Sequence, residues 1–131
     1  MSESLTGSGG AALPATVRAV VFDLDGLMFN TEDIFNEVGH QVLRRRGKEM
    51  TRELLQQMMG RRAPEALQIM IEFHDLQADT VPALIDETRS LFSELAVDRL
   101  APMPGLFTLL DRIESQGLVK GVATSSGRRY L

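Results

Sequence analysis

The chain contains no cysteine, which excludes a disulfide framework and thiolate metal sites and leaves the redox compartment open. It also lacks any excess of basic charge. Fourteen Lys and Arg stand against eighteen Asp and Glu, a net charge of −4, so no broad electrostatic footprint for nucleic acid exists and an anionic ligand must be caught locally. No stretch approaches the roughly 18 apolar residues of a membrane span. The first sixteen residues are small and polar, with Gly7, Gly9, Gly10 and Pro14; they lack the basic start and apolar centre of a secretion signal and read as a flexible tail. A cytoplasmic protein with neither membrane nor nucleic-acid partners is the expectation. The motif Gly-x-x-x-x-Gly-Lys-Ser/Thr is absent as well, so an acidic strand in this chain does not belong to a P-loop ATPase.

What is present suits one globular domain of 131 residues, 44% of them hydrophobic. Val17 to Asp23 is a nearly continuous apolar run, better suited to a strand covered on both faces than to a half-exposed one. Helical spacing follows over Thr31–Gly47, with Ile34, Phe35, Val38, Val42 and Leu43 on one face, and recurs over Thr51–Met59, Pro64–His74 and Val81–Ala96. The segment Ala101-Pro-Met-Pro-Gly105 cannot continue a helix. After it come one more amphipathic helix, marked by Leu106, Leu109, Leu110 and Ile113 and ended at Gly117, and a second strand over Leu118–Thr124. Strand, helix and parallel strand make a βαβ unit, interrupted by a helical insert of about seventy residues, Asn30 to Leu100. Insertions of that length beside an active edge are usually lids. The expected organisation is a tail over 1–16, a partial α/β core over 17–29 and 101–131, and an α-helical cap over 30–100.

Two strand ends carry the candidate chemistry. The first strand runs into Asp23-Leu24-Asp25-Gly26, which places two carboxylates at the carboxyl edge of a sheet, where open α/β folds hold their ligands. Residues two apart in an extended chain project to the same side, so both acids converge on one ligand if the strand continues to Asp25. One can then attack while the other protonates the leaving group and later activates water. A phosphoryl electrophile suits a carboxylate nucleophile, and Mg2+ offsets the repulsion between the two anions. An isolated Asp-x-Asp more often just ends a strand in a solvated turn; the apolar approach, Gly26 and a second hydroxyl-rich strand end argue against that here. At that second end, Thr124-Ser125-Ser126-Gly127 offers a hydroxyl and backbone N–H groups to a phosphate. Elsewhere the residues read as structure. His40 and His74 lack metal-site spacing, Met58, Met59 and Met70 read as packing residues, and Arg44-Arg45-Arg46 as a solvated helix end.

Taken together, Asp23-Leu24-Asp25-Gly26, the helical insert directly after it, the Pro102-Met-Pro-Gly105 return and the Val122-Ala-Thr124-Ser-Ser strand end resemble the haloacid dehalogenase superfamily. The likeness is narrower to its small sugar-phosphate and nucleotide-phosphate phosphatases with an α-helical cap, a group that also contains β-phosphoglucomutase. Met59-Gly-Arg-Arg-Ala-Pro-Glu-Ala-Leu67 is similar to the cap of pseudouridine-5′-phosphatase-like members. The resemblance covers about residues 17–131. It implies a Rossmann-like α/β core with an inserted helical cap, and hydrolysis of a small phosphorylated metabolite through an aspartyl-phosphate with Mg2+ as cofactor.

By position, the resemblance makes Asp23 the nucleophile and a metal ligand, and Asp25 the general acid/base, giving its backbone carbonyl to the metal. Thr124 becomes the hydroxyl on the transferring phosphate, assisted by the Ser125 N–H. Gly60, Arg61 and Arg62 match the cap segment that reads the leaving group; for the two arginines a solvated helix end is the competing reading. Two positions depart from the pattern. Asn30 stands where the family often has Asp, a change expected to affect hinge hydrogen bonding more than chemistry, and Phe35 stands where mutase-like members have His, which argues against a phosphomutase. The family's third-motif lysine and fourth-motif acidic pair have no counterpart before Leu131, so the expectation is a C-terminally shortened chain whose activity is weak or absent. A catalytically incomplete binding protein is the alternative.

Overall fold

The computed structural model describes residues 16–126. The expected tail therefore lies outside the described residues apart from Thr16, as does everything after Ser126. The elements run β1 (Ala19–Phe22), α1 (Thr31–Arg44), α2 (Arg52–Met58), α3 (Ala63–His74), α4 (Val81–Arg99), α5 (Leu106–Ser115) and β2 (Val119–Val122).

Local chemistry explains most of the helix ends. Thr51 and Thr80 cap α2 and α4 by accepting hydrogen bonds from the Leu54 and Ala83 N–H groups, and proline occupies the first turn of α3 and of α4. Asp75 ends α3 in the left-handed region, and Gly105 takes φ +83° where the 101–105 turn enters α5.

The strands pair in parallel, Ala19 opposite Val119 through Phe22 opposite Val122. Together with α5 they form the expected βαβ unit, interrupted by four helices. The expectation that the first strand is covered on both faces is not met. Phe22 is buried, but Val21 and Val119 remain 66% and 67% exposed. A continuous apolar run does not specify how many layers cover it, and among the described residues α5 is the helix that packs on this two-stranded sheet.

The main core lies elsewhere, in the block formed by α1–α4. Ile34, Val38, Val42 and Leu43 from α1 pack with Leu54, Leu67, Met70, Leu76, Leu84, Leu91 and Phe92. Helix α1 packs on α4, α4 on α3 and α3 on α2. Leu54, Leu84, Val42 and Leu43 are fully enclosed, so the block holds its own apolar interior. Met70 and Met58 join it, whereas Met59, expected to pack, is 70% exposed as the residue that ends α2.

The arginine run at the end of α1 also differs from expectation. Arg44 is exposed, but Arg46 is not a solvated side chain. Its guanidinium forks to both oxygens of Asp79, at 2.8 and 2.6 Å, and to Glu87 at 2.7 Å, and it donates to the Val42 carbonyl at 2.8 Å. Arg45 adds an ion pair to Glu87. The guanidinium holds the Asp79 and Glu87 carboxyls below their ordinary values, and the two carboxylates push Arg46 up. A periodic sequence pattern shows the end of a helix but not the acids that later segments bring to it. His74 is structural as expected, its Nε2 lying 3.0 Å from the Glu49 carbonyl oxygen.

The block and the sheet meet at their two connections. Asn30 donates its side-chain amide to the Arg99 carbonyl at 3.0 Å, accepts the Ala101 N–H at 2.7 Å, and donates its own N–H to the Ala101 carbonyl at 3.1 Å. Met103 N–H donates to the Met28 carbonyl at 2.8 Å just beyond. The entry to α1 and the exit from α4 are thus fastened side by side.

Candidate active site

The carboxyl ends of β1 and β2 are held together by the Ala123 N–H, which donates to the Phe22 carbonyl at 2.8 Å. The strand stops at Phe22, and the chain then curls. Met28 and Phe29 donate to the Leu24 carbonyl, and Gly26 donates to the Phe29 carbonyl at 2.9 Å. Gly26 adopts φ +72°, and a Cβ there would lie 2.8 Å from the Glu32 side chain. Both the backbone and the close approach therefore call for glycine.

The two acids have different surroundings. Asp23 is exposed and its Oδ1 accepts the neighbouring Leu24 N–H at 2.8 Å. Asp25 is half-buried and faces the other strand end, where its Oδ2 accepts the Ser126 hydroxyl and, at 3.4 Å, the Thr124 hydroxyl. The Ser126 N–H closes the group by donating to Thr124 Oγ1 at 3.0 Å. Asp25, Thr124 and Ser126 thus form one cluster across two segments about a hundred residues apart. Ser125 lies exposed between the hydroxyls.

Two contributors were not singled out from the sequence as site residues. Ser126 follows Thr124 at a spacing that returns its hydroxyl to the same carboxylate; the run of hydroxyls was the available signal. Thr31, a buried polar side chain, accepts the Gly26 N–H at 3.1 Å and fixes the first turn of α1 against the aspartate loop. No sequence signal distinguishes it from an ordinary helix start.

Gly60, Arg61 and Arg62 lie in the α2–α3 connection, with Gly60 at φ +73°. Both arginines are exposed, and Arg61 borders an open groove of about 500 Å³ with Pro64, Glu65, Gln68, Ile69 and Val81. Among the described residues no hydrogen bond or ion pair links these arginines to Asp23, Asp25, Thr124 or Ser126. Phe35, at the position matched to the mutase histidine, stacks on Phe92 with ring centroids 4.4 Å apart.

The donor set at the aspartate loop fits Mg2+. The exposed Asp23 carboxylate offers a hard oxygen ligand, and Mg2+ characteristically takes one or two carboxylates while water and substrate oxygens complete its octahedron. Among the described residues no group of three or more acids or imidazoles assembles.

The site thus sits in an α/β unit with an acidic strand end, a hydroxyl-bearing partner strand and a long helical insertion between them. The chain belongs to the haloacid dehalogenase-like hydrolase family, which it matches over residues 20–131. It is 31% identical over 118 residues to (DL)-glycerol-3-phosphatase 1, mitochondrial, of Arabidopsis thaliana, covering 88% of this chain and 39% of that protein. It is 30% identical over 116 residues to the phosphorylated carbohydrates phosphatase of Thermotoga maritima, covering 86% and 52%. Among solved structures, β-phosphoglucomutase of Clostridium difficile superposes with a TM-score of 0.63 at 19% identity, covering 85% of this chain and 52% of that one, a likeness of fold. The chain spans about half or less of the length of these relatives. No helix among the described residues is long and apolar enough to cross a membrane.

Proposed function

We propose that the chain carries the phosphoryl-transfer residues of a Mg2+-dependent phosphomonoester hydrolase acting on a small phosphorylated metabolite, a sugar phosphate or a nucleotide. The carrying observation is the Asp25–Thr124–Ser126 cluster beside Asp23, which groups an acid, a candidate nucleophile and hydroxyl donors at adjacent strand ends. Family membership and the phosphatase names of its relatives support the same reading.

In this reading a carboxylate oxygen of Asp23 attacks phosphorus and the bond to the ester oxygen breaks. Asp25, protonated, gives its proton to that departing oxygen. The resulting aspartyl-phosphate is cleaved when the Asp25 carboxylate takes a proton from water and the water oxygen attacks phosphorus, returning Asp23 and releasing phosphate. The Thr124 hydroxyl and the Ser125 N–H hold the phosphoryl oxygens. The Asp23 carboxylate and the Asp25 backbone carbonyl would hold Mg2+, which would supply positive charge against the phosphoryl group. The α1–α4 block acts as the cap, hinged at Asn30 and Ala101, and excludes bulk water. Its Gly60-Arg61-Arg62 segment reads the leaving group when the cap closes.

The test is phosphate release from a panel of sugar phosphates, glycerol phosphate and nucleoside monophosphates with Mg2+. Turnover that is abolished in Asp23→Asn and reduced about 10²–10⁴-fold in Asp25→Asn supports the reading. Turnover indifferent to Asp23 refutes it, and so does a chain that neither hydrolyses any substrate nor binds inorganic phosphate in the presence of Mg2+.

A further inference from the structure

The hydroxyl arithmetic at the strand ends points to a residue with no place in the reaction so far. Oδ2 of Asp25 receives two hydroxyl hydrogens, from Ser126 and from Thr124. Each hydroxyl has one hydrogen to donate. Thr124 therefore cannot donate to Asp25 and to a phosphoryl oxygen at the same time. Its bond to Asp25 is long, 3.4 Å, near the limit at which a hydrogen bond retains strength, so it is readily surrendered to a charged phosphate oxygen. The Ser126 bond is the closer of the two. Ser126 also acts on Thr124 itself, because its N–H occupies a lone pair of Thr124 Oγ1 at 3.0 Å and so directs the Thr124 proton away from its own backbone.

We propose that Ser126 is a positioning residue that keeps the Asp25 carboxylate in place when Thr124 is drawn off to the phosphoryl group, an inference that rests on the hydrolase reading. Without Ser126, phosphate binding leaves Asp25 with no side-chain donor among the described residues, and the acid is free to rotate at the moment its proton is needed. With Ser126, the carboxylate is anchored through one oxygen while the other serves the leaving group and then water. A misplacement of about 1 Å in such a group costs rate more than binding.

The test is a split between kcat and KM in the full 131-residue chain. Ser126→Ala is expected to lower kcat about tenfold with KM within about twofold of the parent, because the loss falls on the chemical step. Ser126→Thr, which restores the hydroxyl, should recover most of the rate. Thr124→Ala should instead raise KM as well as lower kcat. A Ser126→Ala chain with raised KM and unchanged kcat would make Ser126 a substrate contact and overturn the proposal; so would unchanged kinetics, or failure of Ser126→Thr to rescue. If the parent chain hydrolyses nothing, Ser126 is judged by carbon NMR at a single neutral pH. The Asp25 carboxyl signal should then move in Ser126→Ala and return in Ser126→Thr while Asp23 stays put. An Asp25 signal indifferent to Ser126 overturns the proposal.

Discussion

Asn30→Ala removes the two side-chain hydrogen bonds that fasten the entry of α1 to the exit of α4, the donation to Arg99 at 3.0 Å and the acceptance from Ala101 at 2.7 Å. At about 0.5–1.5 kcal/mol net for each bond, local opening of the junction becomes easier by about 1–3 kcal/mol. Amide hydrogen exchange reads that quantity directly: a 2 kcal/mol loss speeds exchange of the Ala101 N–H by about 30-fold. Asn30→Asp separates the two bonds. It keeps an acceptor for Ala101, now charged and stronger, but it loses the donor and sets a carboxylate oxygen against the Arg99 carbonyl. Ala101 should therefore stay protected in Asn30→Asp while the junction as a whole loosens. Amides of Val38, Val42 and Leu84, within the helical block, should be unchanged in both variants. Unaltered Ala101 exchange in Asn30→Ala, or equal acceleration throughout the block, would refute the idea that these bonds act locally at the junction.

Arg46→Met strands Asp79 against a thioether and leaves Glu87 with Arg45 alone, and should destabilise the helical block by about 1–3 kcal/mol in urea unfolding, between the values for exposed and buried pairs. Because both carboxyls are depressed in the folded chain from ordinary values of 3.8 and 4.5, this contribution is complete above the ordinary values and is lost as pH falls through the depressed ones. The parent's acid sensitivity in that range should shrink in the Arg46→Met chain. Leu84→Ala, at a fully enclosed site, should cost about 2–5 kcal/mol by loss of contact and cavity formation, read from the same unfolding curves. Gly26→Ala meets Glu32 and a positive φ. The flexible Glu32 side chain can move but the backbone strain of about 1–2 kcal/mol stays, so phosphate release should fall while the unfolding midpoint of the helical block holds.

Sequence periodicity located the helices well where apolar residues recur at helical spacing. Ile34, Val38 and Val42 mark α1, whereas the caps Thr51 and Thr80 of α2 and α4 emerged only in the structure. The two strand ends were legible for the same local reason, since carboxylates and hydroxyls placed directly after apolar runs are conspicuous. What escaped was whatever depends on chain returning from far away. The partners of Arg46 come from residues 79 and 87, the cover on Val21 is a matter of layers, and the hydroxyl partners of Asp25 come from the other strand end. Ser126 was visible as a hydroxyl, but only the proximity of the two strands gave it a carboxylate to hold.

The junction at Asn30 also bears on how the chain folds. Ala19 must find Val119 across about a hundred residues, and closing a flexible loop of that length is entropically slow. Helix α1 packs on α4 so that Thr31 and Arg99 lie at the same end of the block, clasped through Asn30. Once the block has formed, only about thirty residues of free chain separate the strands, and closure becomes cheaper by about 1 kcal/mol. The α1–α4 core then serves as a splint: it assembles from helices that mostly neighbour one another in sequence, and parallel strand pairing follows as a late event with a shortened search. Mutations at Leu54 or Leu84 should slow the formation of a sheet they never touch.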